Sequence, residues 1–155
     1  MQVIDPASPD ARKCLEDYFA ELDRRFDTGF DPARTRPTEF EEMRPPRGVF
    51  AVARMDGVAV GCGALRFHPD GSAEVKRMWV APGARGHGIG WRLLTALEQM
   101  AVERGSTRVR LDTNRTLREA IAMYRSAGYV EVKAFNDEPY AHHWFEKVLT
   151  PARTG

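Results

Sequence analysis

Val80-Ala81-Pro82-Gly83-Ala84-Arg85-Gly86-His87-Gly88-Ile89-Gly90-Trp91 is the stretch on which the reading of this chain turns. Its three alternate glycines, Gly86, Gly88 and Gly90, leave the backbone unshielded, so that several N–H groups can converge on one ligand. The helix expected after them adds four unsatisfied N–H groups and the positive end of its dipole. Arg85 at the rim supplies a charge-assisted donor, and His87 lines the loop or faces solvent. Together these features describe a cradle for a diphosphate. A P-loop would end in Gly-Lys-Ser/Thr, whereas Gly88 is followed by Ile89 and Gly90. A dinucleotide fingerprint needs glycine at its sixth place, which here is Trp91. Asp112 does lie near the acidic position of such a fingerprint, but the strands before the loop do not suit a parallel sheet.

Those strands are residues 49–54, 57–67 and 73–80, short runs rich in Val, Ala and aromatics. Met55-Asp56-Gly57 and Pro69-Asp70-Gly71 separate them and are hairpin turn signals, which predicts three consecutive antiparallel strands. After the loop a helix runs to about Arg104, with Ile89, Leu93, Leu97, Met100 and Ala101 in one apolar stripe and Gly105 to end it. Residues 107–111 form a strand. Thr116-Leu117-Arg118-Glu119 reads as a capping box opening a helix that stops at Gly128. Residues 129–132 and 142–149 are the last two strands. At the N-terminus a strand over 1–4 precedes a helix capped by Ser8 or Asp10 and running to about Arg25. Residues 27–48 are a Pro- and Gly-rich loop with a short helical turn near 38–43.

A helical crossover between strands 73–80 and 107–111 requires them to be parallel if they are neighbours. The fold class is therefore α+β: a mixed, mostly antiparallel central sheet with helices on both faces. The 155 residues read as a single domain.

Composition narrows the function classes. Twenty-three basic residues against 22 acidic ones give a net charge of +1, which exerts no global pull on nucleic acid or an anionic membrane. No run approaches the ~20 apolar residues of a membrane span, and the first residues lack the features of a signal peptide. Cys14 and Cys62 have no further cysteine partners, which fits two thiols in a reducing compartment. The expected location is cytoplasmic. His142 and His143 point to opposite faces of a strand, so no metal is expected.

Residues 78–132 resemble the core of the GNAT superfamily of N-acetyltransferases, whose signature is Gln/Arg-x-x-Gly-x-Gly/Ala. Arg85, Gly88 and Gly90 match it position for position. The lead-in Val80-Ala81-Pro82 and the ending Ala120…Tyr124-Arg125…Gly128-Tyr129 match as well. The resemblance implies direct transfer of acetyl from acetyl-CoA to a primary amine. It implies that Arg85, Gly86, His87, Gly88, Ile89, Gly90 and Trp91 hold the CoA pyrophosphate. By the same resemblance, backbone groups of Met78, Trp79 and Val80 pair with the pantetheine arm and polarise the thioester carbonyl. Tyr124 matches the tyrosine that protonates the departing sulfur. Glu74, eleven residues before Arg85, matches the glutamate base of histone-acetylating members. Many members carry Asn seven residues before the tyrosine; here that place is Leu117, and Asn114 is the substitute contact.

The acceptor surface implied by the resemblance covers residues 25–46 and 134–144. Arg24, Arg25, Arg34 and Arg36 mix there with Asp23, Asp27, Asp31, Glu39, Glu41 and Glu42. Phe26, Phe30, Phe40, Tyr140 and Trp144 add aromatics. A small amine, an amino acid or a peptide end all remain open as acceptor. Family members are often dimers, so a homodimer is an expectation, although no seam is visible. A non-catalytic acyl-CoA sensor and a nucleotide-binding structural module are the alternative function classes.

Overall fold

The computed structural model describes residues 1–32 and 40–150. Arg34, Arg36 and Glu39 of the expected acceptor surface, and the Thr38 start of the expected turn, lie outside the described residues. The elements are β1 (Gln2–Val3), α1 (Pro9–Arg25), a 3-10 turn (Phe40–Met43), β2 (Gly48–Met55), β3 (Val58–Phe67), β4 (Ser72–Val80) and a second 3-10 turn (Pro82–Ala84). They continue with α2 (Ile89–Glu103), β5 (Arg108–Thr113), α3 (Arg118–Ser126), β6 (Val130–Val132) and β7 (His143–Val148). One sheet forms in the order β1-β2-β3-β4-β5-β7-β6. Every neighbouring pair is antiparallel except β4 and β5.

Alternation along the strands assigns the two faces. On β2, Val49 and Ala51 join Leu94, Leu97 and Ala101 of α2, together with Leu111, Tyr124 and Phe145. Phe50 and Val52 point the other way, into a cluster with Ala11, Cys14 and Leu15 of α1. Helices thus cover both faces, as the period-two pattern requires. At the first hairpin, Asp56 and Gly57 both take positive φ (51° and 80°), the geometry of the tight turn that matches strand twist.

What positions the site is an interruption of the sheet. β4 pairs with β5 only at Ser72–Arg108, Ala73–Val109 and Glu74–Arg110. On the other side of β4, Cys62 faces Trp79 but Ala64 faces Lys76, so Arg77 and Met78 share the partner Gly63. This is a β-bulge. Arg77 sits in the left-handed region (φ 57°), an uncommon place for a non-glycine residue. A Cβ on Gly63 would stand 2.7 Å from Met78 Sδ and 2.8 Å from Leu97 Cδ1, so a larger residue opposite the bulge would push both side chains aside. Beyond Glu74 the two parallel strands separate and leave one edge of β4 without a ladder.

The expected capping box of α3 does not form. Leu117 occupies the N-cap place and no side chain caps the helix. Thr116 gives both its N–H and its hydroxyl to Asn114 Oδ1, at 3.0 and 2.9 Å. The Glu119 carboxylate is drawn instead to the Arg25 guanidinium of α1 (Nη2–Oε2 2.9 Å). An ion pair with a guanidinium outcompetes a carboxylate bond to a single backbone N–H. At α1, Ser8 does hold the N-cap place, but its hydroxyl donates to the Asp5 carbonyl at 2.6 Å.

Candidate active site

Gly88 is the N-cap of α2, at φ 74°. Nothing lies within 4 Å of where its Cβ would be, so glycine is needed there for backbone conformation and not for room. The first-turn N–H groups of Ile89, Gly90 and Trp91 have no acceptor inside the helix. These residues, with Arg85, Gly86 and Gly88 of the loop and Met78, Trp79 and Val80 of β4, line a cleft of about 430 Å³. Tyr18, Glu21 and Leu22 of α1 form one wall of it, and Ala120 and Met123 of α3 another. Nine of the expected cofactor residues therefore share one surface. His87 and Asn114 are not on it.

Arg85 is not a free donor on the rim. Its Nη2 stands 2.7 and 2.6 Å from the two Glu21 oxygens, and its Nε donates to the Val80 carbonyl at 3.0 Å. Glu21 also accepts from Trp79 Nε1 (3.3 Å) and Arg25 Nη1 (3.2 Å). Burial opposes ionisation of Glu21, but the Arg85 bond and charge, followed by Trp79 and Arg25, hold its carboxyl below the ordinary range. Arg25 continues the chain to Glu119, whose carboxyl its hydrogen bond holds down to about 2. The loop, α1, β4 and α3 are thus tied around the cleft by one alternating row of charges. Sequence spacing could not reveal it, because Glu21 and Arg85 are 64 residues apart.

The cleft runs on into a chamber of about 100 Å³ between the separated strands, and Tyr18, Leu22, Met78, Leu117 and Ala120 line both. Tyr124 reaches this chamber from α3 and is 5% exposed. Burial, then the neighbouring Tyr18 and Asp112, push its phenol above the ordinary value, so it stays protonated. Its hydroxyl has no hydrogen-bond partner among the described residues. Tyr18, also lining the chamber, is pushed up to about 12 by burial.

Two carboxylates join them. Asp112 of β5 accepts from Asn136 Nδ2 at 2.8 Å, and Asn136 Oδ1 in turn accepts from Trp144 Nε1 at 2.9 Å. Burial raises the Asp112 carboxyl above its ordinary value, against the Asn136 bond and with help from the charge of Glu74. Burial and then Asp112 raise Glu138 likewise. Sequence reasoning met Asp112 only as a nucleotide-site position. The available signal was its place on the last turn of a strand whose Val109 and Leu111 face the other way.

Glu74 is buried, but it faces a neighbouring polar pocket of about 470 Å³. There it lies 2.9 Å from His68 Nε2 and 3.5 Å from Lys76 Nζ. The structure therefore does not bring Glu74 and Tyr124 into one chamber. Lys76 and Glu138 line both pockets and form the junction. Asn114 lines the central chamber, but its side chain organises the β5–α3 turn: Nδ2 donates to the Tyr140 carbonyl and Oδ1 serves Thr116. Phe26, Phe30 and Tyr140 form the outer wall, with ring centroids 4.8 to 5.7 Å apart. His142 Nδ1 accepts the Arg115 N–H and His143 Nδ1 meets Glu131. Among the described residues no group of three or more His, Cys, Asp or Glu could hold a metal ion. Among them, too, no helix is long and apolar enough to cross a membrane.

The Acetyltransferase (GNAT) family profile matches residues 15–129, most of the chain, including the glycine loop and Tyr124. The chain is a member of the GNAT family. It is 36% identical over 121 residues to an IAA acetyltransferase of Azospirillum brasilense, covering 77% of this chain and 78% of that one. A solved structure of a putative acyl-CoA N-acyltransferase from Klebsiella pneumoniae subsp. pneumoniae MGH 78578 superposes with a TM-score of 0.78 at 27% identity, covering 96% of each chain. An aminoglycoside 6'-N-acetyltransferase complexed with coenzyme A shares the fold, with a TM-score of 0.68 at 18% identity and 98% of each chain covered. This GNAT protein is an acyltransferase. Its interrupted β4–β5 pairing and its glycine loop make the cleft.

Proposed function

We propose that this protein is an acetyl-CoA-dependent N-acetyltransferase that passes acetyl directly to a primary amine and works as a single domain. The observation that carries the proposal is the continuity of the loop cleft with a chamber holding a buried, protonated Tyr124 that has no hydrogen-bond partner among the described residues. The fit to CoA rests on this chain's own groups. First-turn N–H groups after Gly88 suit a diphosphate. The unladdered edge of β4 at Met78, Trp79 and Val80 suits the amides of a pantetheine arm, which would pair as an added strand. When bound, acetyl-CoA supplies an acyl thioester with a thiolate leaving group.

The residues of the chamber do the rest. An alkyl amine with a pKa of about 10 reaches the site as an ammonium ion. Asp112, made more basic by burial and by the nearby charge of Glu74, takes the proton, directly or through a water. Glu74 then acts one step back from the amine, through its field. A β4 amide polarises the thioester carbonyl. As the nitrogen–carbon bond forms and the carbon–sulfur bond breaks, Tyr124 gives its proton to sulfur and is reprotonated from the chamber. The products are an N-acetyl amide, a CoA thiol and one proton. The buried thiols Cys14 and Cys62 fit a cytoplasmic setting.

The test is thermal stabilisation by acetyl-CoA against NAD and ATP, followed by CoA-thiol release with a panel of amines. A melting shift specific to the CoA ester and turnover with at least one amine are expected. No shift with any CoA ester would overturn the proposal.

A further inference from the structure

We infer that the acceptor is a free α-amino acid with an apolar side chain, its carboxylate held by Lys76 and its amine set against Asp112 and Glu138. The inference rests on the acyltransferase reading of the central chamber and adds the substrate class. It starts from the charges around that chamber. Asp112 and Glu138 stand among its lining with Lys76 and Arg77, in a space of about 100 Å³. Two carboxylates and two cations around so small a volume match a zwitterionic headgroup, where an ammonium and a carboxylate sit on one carbon.

Lys76 stands out among the cations that line the chamber and the polar pocket beside it. Arg66 is paired with Glu42 at 3.3 Å. Arg110 donates to Glu146 at 2.9 Å and lies over the Phe135 ring. His68 is bound to Glu74, and Arg77 lies over the Phe19 ring at 5.0 Å. Lys76 has an ion pair to Glu74 at 3.5 Å and, among the described residues, no hydrogen bond of normal length. Its side chain is 20% exposed, so three ammonium donors sit in a largely desolvated place with one long contact. A carboxylate next to the reacting amine would satisfy them.

The other acceptor classes leave the chamber less well matched. A simple amine offers Lys76 nothing. A peptide end offers the neutral carbonyl of an amide in place of a carboxylate. The third substituent of an α-amino acid is met by Phe26, Phe30 and Tyr140, whose rings form the outer wall. Those rings suit an apolar or aromatic side chain.

Three probes that differ only at the carboxylate test this: L-phenylalanine, L-phenylalaninamide and 2-phenylethylamine. Each is assayed with the full chain and acetyl-CoA by CoA-thiol release, and its binding is measured by calorimetry. Wild type is expected to prefer the acid over the amide in kcat/KM, and Lys76→Gln to lower that ratio about tenfold or more, the usual weight of a lost charge-assisted bond. Lys76→Arg, which keeps the cation, is expected to restore most of the ratio. The ratio is read instead of a single rate because the three amines differ in basicity, and melting temperatures of both variants report folding. Turnover of the amide and the plain amine at least as good as that of the acid would overturn the inference while leaving the acyltransferase reading intact. An unchanged ratio in Lys76→Gln would overturn it as well. Absence of CoA release and of binding for all three, with no stabilisation by acetyl-CoA, would sink both.

Discussion

Removing the Glu21 carboxylate tests whether the glycine loop is held from α1. Arg85 Nη2 stands 2.7 and 2.6 Å from the two Glu21 oxygens. The Glu21 side chain is 9% exposed and that of Arg85 37%. A pair open to water on both sides contributes about 0.2–1 kcal/mol, and deleting one partner of a fully buried pair costs about 3–5 kcal/mol. With one member buried and the other partly screened by solvent, a coupling of about 2 kcal/mol is expected. Glu21→Gln also weakens the bonds from Trp79 and Arg25, so this single change is the costlier. The assay is a double-mutant cycle of Glu21→Gln, Arg85→Gln and both, by urea denaturation. The double variant should be about 2 kcal/mol more stable than the sum of the singles implies. Each kcal/mol corresponds to roughly 2–4 °C in melting temperature for a chain of this size. Both singles should also weaken acetyl-CoA binding, because each frees the loop. A coupling below about 0.5 kcal/mol would refute the argument. So would tighter acetyl-CoA binding by Glu21→Gln, since Arg85 would then be a phosphate donor that Glu21 restrains.

Three further outcomes follow from the chamber and the loop. Tyr124→Phe should lower kcat by about a hundredfold or more with little change in melting temperature, because its hydroxyl donates to no group among the described residues; stopped turnover assays beside calorimetry check this. Asp112→Asn should lower kcat/KM yet raise stability at pH 7. The Asp112 carboxyl is raised above its unfolded value, so ionising it costs folding free energy as pH rises through the folded value. The stability gain of the variant should therefore fade as the medium is acidified below the ordinary carboxylate range, which a series of melts across pH will show. Gly88→Ala meets no atom within 4 Å, so its cost is the left-handed backbone alone, about 1–2 kcal/mol. A larger loss of acetyl-CoA affinity than of stability is expected by titration.

The fold was legible wherever short-range chemistry decided it. Asp56-Gly57 and Gly71 mark hairpins because few residues tolerate positive φ, and those marks placed three strands correctly. The bulge at Arg77 was not legible, since Lys76-Arg77-Met78 carries no glycine or proline and reads as ordinary strand. Yet that residue opens the site. The capping box failed because the spacing of Thr116 and Glu119 says nothing about Arg25, which lies 94 residues from Glu119. The loop side of the cleft was legible because alternate glycines are a local signal. The charged lining of the chamber was not, because Asp112, Glu138 and Lys76 meet only through the β4–β5 separation and the β6–β7 connection.

That separation has a consequence for the protein before any ligand arrives. Unladdered strand backbone invites pairing with other chains, and it usually lies at the outer margins of a sheet. Here the margins are β1, two residues long, and β6, three residues long. Both are too short to template a neighbour. Another open edge is the β4 segment running from the bulge to Val80, deep in the sheet and flanked by Tyr18 and Leu22 on one side and Leu117 and Ala120 on the other. A slender extended molecule can reach it, and a second folded chain cannot. The walls of the cleft thus shield from other chains the same backbone that they leave open to a ligand.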